Sequence, residues 1–113
     1  MAQEEMPIFT RTFDFLTWLL PATNNFPRAQ RATATKRLLD AAFDLRERLE
    51  EANARKANAR MERLERADEA LGHLRLYLRL AHKWKWLADN QYEHVSKMTD
   101  EIGRLLGGWM KKS

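Results

Sequence analysis

The chain has 113 residues, no cysteine, 44% hydrophobic residues and a formal charge of +4. This length suits one domain, and the absence of cysteine excludes a disulfide framework and thiolate chemistry. Because the N-terminus is acidic and the apolar run from Leu16 to Ala22 is short, we expect neither a secretory signal nor a membrane span. A reducing cytoplasm is the expected compartment.

The positive charge is concentrated in the middle of the chain. Residues 1–27 have a net charge of −2 and residues 87–113 are neutral, whereas residues 28–58 and 59–86 each carry +3. This asymmetry favours a basic face and an anionic partner, for which nucleic acid is the usual candidate.

Four helices are predicted, because the strong helix formers Ala, Leu, Arg, Glu and Lys dominate and valine occurs only once. They cover about residues 7–20, 28–55, 59–86 and 90–109. Together they predict an all-α domain over residues 1–113, folded as an up-down-up-down four-helix bundle.

The first helix is predicted to begin at Pro7, whose missing N–H suits a first helical turn. Pro21 is expected to end it. Its predicted apolar stripe consists of Phe9, Phe13, Leu16 and Leu20, with Phe15 and Leu19 beside it.

The second helix is predicted to begin after Pro27. Arg28 and Arg31 lie in its first turn, where the helix dipole disfavours cations, so a nearby anion would stabilise them. With Lys36 and Arg37, they are candidate residues for binding an anionic partner. The predicted core seam of this helix is heptad-like and consists of Leu38, Ala42, Leu45, Leu49 and Ala52.

A helical hairpin around Lys56–Asn58 is expected to join the second and third helices. Residues 53–60 contain neither glycine nor proline to mark the turn. We still predict a hairpin, because a continuous helix from 28 to 86 would be unusually long for a small domain.

The third helix is predicted to be apolar on two sides, and such a helix needs two packing partners. One partner is the core of the domain, and the other would be a second subunit or a protein partner. At 100° per residue, the second side holds Leu76, Tyr77, Leu80 and Trp84. The main seam consists of Leu64, Ala67, Leu71, Leu74, Leu78 and Ala81.

A narrow polar strip between these two sides is the main candidate binding site. It holds Asp68, Arg75, Arg79, His82 and Lys83. Arg75 and Arg79 are four residues apart and share one helical face. A partly buried pair of cations is costly unless something anionic meets it. Asp68 is the best-placed acid, and an anionic partner is the alternative.

Two tryptophans at the end of the third helix have a structural and a functional interpretation. Trp84 and Trp86 could stack on unpaired bases. The structural interpretation is that Trp86 closes the core near the helix end and that Trp84 lies in an interface.

The fourth helix is predicted to start near Asn90, which has capping-box spacing to Glu93. Gly103 and Gly107 share one face, and each costs about 1 kcal/mol relative to alanine. Close approach of another backbone would explain them, and a fraying helix end is the alternative for Gly107. The predicted seam consists of Val95, Met98, Ile102, Leu105 and Trp109.

The sequence offers no constellation for catalysis, for a cofactor or for a metal. His73 and His82 lie on opposite sides of the third helix, and His94 is on another helix. No HExxH motif, glycine-rich phosphate loop or nucleophile elbow is present. We therefore expect a binding protein and not an enzyme.

Several of these segments resemble the accessory variability determinant (Avd) proteins of diversity-generating retroelements. The resemblance is carried by LRLYLRLA at 74–81, QYEH at 91–94 and EIGRLLGGWM at 101–110, with FPRAQR at 26–31 upstream. It implies a homopentameric barrel of four-helix protomers that binds RNA or DNA and the reverse transcriptase of the element during mutagenic retrohoming. The paired third-helix arginines of that family match Arg75 and Arg79.

Two other functions remain open at this point. The related rRNA intervening-sequence proteins share the bundle, and their pattern would imply nucleic-acid binding without a polymerase partner. In the second alternative, the chain is a purely structural oligomer whose arginines form salt bridges between subunits.

Overall fold

The computed structural model describes residues 6–113, and four helices account for most of them. No strand occurs in this range, so the predicted all-α four-helix bundle is confirmed. Each helix packs against two others, in the order α1–α2–α3–α4 and back to α1. The helices are α1 (Pro7–Ala22), α2 (Lys36–Asn53), α3 (Ala57–Lys83) and α4 (Asp89–Lys112).

The bundle is elongated because α3 spans its full length. The 27 residues of α3 measure about 40 Å at 1.5 Å per residue, which matches the long dimension of 42 Å. None of the helices within residues 6–113 combines the length and apolar character that crossing a membrane requires.

The core seams of α2 and α3 are buried in full, as predicted. The predicted stripe of α1 is wrong at Phe13 and Leu20, which are 63% and 40% exposed. Its buried residues instead are Ile8, Phe9, Thr12, Phe15 and Leu19. Thr12 can enter this face because its hydroxyl donates to the Ile8 carbonyl at 2.8 Å, which satisfies the buried oxygen.

The fourth helix buries most of its predicted seam, but its start differs from the prediction. The predicted capping box of Asn90 and Glu93 is wrong. The side chain of Gln91 accepts a hydrogen bond from the Ala88 N–H at 2.9 Å, so α4 begins one residue earlier, at Asp89. Thr99 and Leu106 are also buried, although the sequence pattern did not include them.

The chain reaches α2 through irregular turns and not through a helix from residue 28. Pro27 disfavours helical backbone at the residue before it, and Phe26 is accordingly extended and buried. Two 3₁₀ turns, Thr23–Asn25 and Arg28–Gln30, and a π-helical turn, Arg31–Thr35, then precede Lys36.

Arginine side chains make the turn between α2 and α3 possible without glycine or proline. The last carbonyls of α2 need donors. Arg55 Nη1 donates to the Glu51 carbonyl at 2.9 Å, and Arg60 Nε donates to the Ala52 carbonyl at 3.0 Å. The turn occupies residues 54–56, two residues before the predicted position.

Candidate nucleic-acid interface

Two segments that meet where α2 begins and α3 ends are strongly basic. Residues 15–39 contain four basic and no acidic residues, and residues 70–88 have the same composition. Together they hold eight of the 20 Lys and Arg and none of the 16 Asp and Glu, so acids outnumber bases in the remainder. The charge count over residues 28–58 and 59–86 did not show these stretches, because each of those ranges also contains acidic residues. A search for acid-free stretches would have found them.

These two segments meet in a groove between α2 and α3 with a volume of about 240 Å³. Every residue that lines it belongs to one of the two acid-free segments, and Arg37 is the charged residue among them. The lining residues are Phe26, Gln30, Thr33, Ala34, Arg37, Leu38, Tyr77, Leu80, Ala81, Trp84 and Trp86.

A row of three aromatic rings forms one wall of this groove. The Phe26 and Trp86 rings lie 5.4 Å apart between centroids, and those of Trp86 and Trp84 lie 5.0 Å apart. Phe26 is buried, Trp86 is partly buried and Trp84 is 49% exposed. The row therefore begins in the core and ends at an open tryptophan.

The backbone after α3 fixes the two tryptophans through a Schellman motif. The Trp86 N–H donates to the Ala81 carbonyl at 2.8 Å, and the Lys85 N–H donates to the His82 carbonyl at 3.0 Å. Lys85 occupies the left-handed position of this motif with φ 64°. Glycine is the usual residue there, because a side chain costs about 1–2 kcal/mol in that conformation.

The candidate residues before and in α2 lie in three different settings. Arg28 and Arg31 are exposed on the turns that carry Gln30 to the groove. Lys36 is exposed and forms an ion pair with Asp40 one turn later. Only Arg37 lines the groove itself, across from Tyr77.

The candidate residues on α3 divide in the same way. Arg79 and Lys83 are both exposed, four residues apart, and neither forms an ion pair with any residue between 6 and 113. His82 instead bridges α3 and α4, since its Nε2 lies 2.8 Å from Asp89 Oδ1 and its ring stacks on Tyr92 at 4.2 Å.

Arg75 also turns toward α4, and Asp68 is not its partner. Its Nη2 donates to the Thr99 carbonyl at 3.2 Å and lies 3.6 Å from Asp100 Oδ1. Gly103 provides the space for this guanidinium, because a β-carbon there would lie 2.6 Å from Nη2. The close approach to Gly103 is thus made by a side chain, while Gly107 has no neighbour of this kind.

The geometry of this end suits binding through charge and stacking. Arg37 lines an aromatic groove, and Arg79 and Lys83 lie exposed on the segment that forms its other wall. The described part of the chain brings no three His, Asp or Glu side chains together as a metal site.

The family of the chain is shown by its sequence. The bAvd-like family model matches residues 6–113. The chain belongs to the bAvd-like family. The resemblance found from the motifs of the second half is therefore confirmed. The comparison with curated protein sequences gives no match.

A solved structure supports the fold. It is the crystal structure of a protein of unknown function from the S23 ribosomal protein family of Bacteroides thetaiotaomicron VPI-5482. It superposes with a TM-score of 0.81 over 92% of this chain and 95% of that chain, at 16% sequence identity. At this identity the similarity establishes the bundle and its connectivity only.

Proposed function

We propose that this protein is a non-enzymatic accessory factor of a diversity-generating retroelement. In this role it binds the reverse transcriptase of the element and RNA or DNA, and so supports mutagenic retrohoming. The observation that carries the proposal is membership of the bAvd-like family over residues 6–113. The two acid-free basic segments, residues 15–39 and 70–88, supply the physical support.

The nucleic-acid part of the proposal follows from the charges at this end. Phosphates bound by lysine and arginine release counterions, so affinity depends steeply on salt and weakly on sequence. Arg79 and Lys83 are exposed without an ion pair among residues 6–113, so a phosphate would not have to displace an acidic side chain.

The protein is further proposed to act as a homo-oligomer, with five copies implied by the family resemblance. On α1, Phe13 and Leu20 are exposed, and on α2 Phe43 is 39% exposed. Arg46 Nη1 donates to the Phe9 carbonyl at 2.7 Å and sets α1 against α2. By helical position, these three apolar residues then lie along the α1–α2 side, and a second copy of the chain would cover them.

A ring of copies needs two different surfaces on each subunit, because each copy contacts one neighbour on each side. The α1–α2 side would supply one of these surfaces. Leu76 on α3 is half exposed and lies on a separate side of the bundle, where the second surface would be.

Co-purification tests the polymerase part of the proposal. The tagged chain is expressed with the reverse transcriptase of the proposed retroelement, and the enzyme is expected to elute with the tag at moderate salt. A chain that binds RNA or DNA but never retains the enzyme would favour the rRNA intervening-sequence type of function. A chain that binds neither would overturn the proposal.

A further inference from the structure

We infer that the groove between α2 and α3 binds an unpaired base of a single-stranded nucleic acid, stacked on Trp84. This inference rests on the proposed function, because it specifies which form of nucleic acid the basic end recognises. Three properties of the groove support it: an open-ended aromatic row, a lining without acidic residues, and a strained lysine beside the outer ring.

The aromatic row is complete on its inner side and open on its outer side. Phe26 and Trp86 pack on each other and against the core, whereas about half of the Trp84 surface meets solvent. Burying a tryptophan is favourable, so leaving this ring open forgoes stabilisation that the fold could have gained. A planar base would extend the row by one ring, and every base has a π-face for such stacking.

The charges around the groove suit a nucleotide better than an uncharged aromatic compound. Arg37 lies on one wall, while Lys83 and Lys85 flank Trp84 in the chain. No acidic residue belongs to either segment that forms the groove. A phosphate backbone that follows the groove would therefore meet cations on both sides while its base reaches Trp84.

The groove distinguishes single strands from duplexes by access. Inside a duplex, both faces of a base are covered by its neighbours, so stacking on a protein ring requires an unpaired base. The groove of about 240 Å³ lies between two helices, and a double helix is too wide to enter such a cleft. Duplexes can still contact the cations outside the groove.

Lys85 provides the independent observation. It adopts φ 64°, where glycine would be favoured. Backbone strain of this kind clusters at functional sites. A glycine would relieve the strain but would remove an ammonium group next to Trp84, where a phosphate-binding role favours a cation.

A pair of Trp84 variants tests the inference with two probes. The probes are a labelled oligothymidylate of about 12 nucleotides and a duplex of the same length, titrated at low salt and followed by fluorescence anisotropy. Trp84→Leu keeps apolar bulk but removes the stacking ring, while Trp84→Phe keeps a ring. Met6→Ala is the control, since Met6 is another exposed apolar side chain that belongs neither to the groove nor to the proposed subunit surfaces.

We expect Trp84→Leu to lower the affinity for oligothymidylate about tenfold, within the range for loss of one stacked base. Trp84→Phe should retain most of the affinity, Met6→Ala should bind as the wild type does, and duplex affinity should change little in all three. Unchanged oligothymidylate binding by Trp84→Leu would overturn the inference, and so would an equal loss for the duplex.

Two further readings separate this inference from the proposed function. A wild-type chain that binds the duplex but not oligothymidylate would overturn the base-binding groove and leave nucleic-acid binding intact, whereas binding of neither would remove both. Light scattering on Trp84→Leu tests whether a second copy of the chain, and not a base, occupies the groove. If the variant loses subunits, the groove is a subunit contact and the inference fails.

Discussion

The guanidinium of Arg75 lies directly over Gly103 of α4, in a space that a β-carbon would fill. In this position it donates to the Thr99 carbonyl and pairs with Asp100. Arg79, one turn further along α3, makes no ion pair with any residue from 6 to 113. Two arginines on the same face of α3 therefore have different roles. Arg75 joins α3 to α4, and Arg79 is exposed without an ion pair among residues 6–113.

The contact between Arg75 and Gly103 should appear as an energetic coupling. Gly103→Ala gains about 1 kcal/mol of helix propensity but displaces the guanidinium, and a half-exposed charged hydrogen bond contributes about 1 kcal/mol. We expect Gly103→Ala to leave the free energy of unfolding nearly unchanged. In an Arg75→Ala background, the same substitution should stabilise by about 1 kcal/mol. Urea denaturation of the four proteins measures this cycle.

Gly107 is the control for this cycle, since an added β-carbon there meets nothing within 4 Å. Gly107→Ala should stabilise the protein by a similar amount with or without Arg75. Equal effects of Gly103→Ala in both backgrounds would show that the guanidinium does not occupy the space over Gly103 in solution.

Single substitutions of the two arginines should affect different properties. Arg79→Ala should weaken nucleic-acid binding and reduce the slope of log affinity against log salt by about one, with the melting temperature unchanged. Arg75→Ala should lower the melting temperature by about 4–8 °C with a smaller effect on binding. Arg66→Ala is the control, because Arg66 is an exposed α3 arginine that is paired with Glu62. Identical effects of Arg75→Ala and Arg79→Ala would contradict the division.

Replacing Lys85 with glycine should raise the stability of the fold and lower the affinity for nucleic acid. Lys85→Gly removes the side chain from a left-handed position and should stabilise the fold by about 1 kcal/mol, while nucleic-acid affinity falls. Lys83→Gly is the matched control, since it removes the same charge from the last residue of α3, which has helical backbone, and should destabilise the fold. Chemical denaturation and anisotropy titration measure the two properties. A Lys85→Gly protein that is less stable than the wild type would contradict the proposed strain.

Assembly should depend on the exposed α1–α2 side. Phe13→Asp places a charge on a ring that is 63% exposed in the single chain, so the helix itself should tolerate it. If a second copy covers this ring, the buried charge should dissociate the oligomer, and light scattering would report a smaller mass. Thr10→Asp adds the same charge to an exposed position of α1 and should leave the mass unchanged. A monomeric wild-type protein would exclude the oligomer altogether.

The helix seams were predictable from sequence because burial in α2 and α3 follows helical periodicity closely. The buried face of α1 was not predictable in this way. Thr12 is buried with its hydroxyl bonded to the Ile8 carbonyl of the same helix, and a search for apolar residues does not include threonine. Such a search does include Phe13, but the side chain of Phe13 is exposed on the surface of the bundle. The irregular turns before α2 also escaped prediction, because residues 28–35 contain no glycine or proline that would break a helix.

The sequence identified the candidate basic residues, but it did not predict their partners or their positions relative to one another. Spacing on α3 indicated that Arg75 shares a face with Arg79, but only the packing of α4 shows that Thr99 and Asp100 receive it. The groove was also beyond the sequence, because Arg37 and Trp84 are 47 positions apart in the chain and meet only when α2 and α3 fold back on each other.

The uneven charge along the sequence gives each molecule an asymmetric distribution of charge. The two acid-free segments carry eight positive charges, while the remaining residues have an excess of acids, although the formal charge of the whole is only +4. Such a molecule binds a charged surface in a preferred orientation, with its most basic residues toward the negative charges. It should be retained by a cation-exchange resin at higher salt than a protein of the same size and net charge with evenly scattered residues, and it should approach any polyanion with the end that holds Trp84 in front.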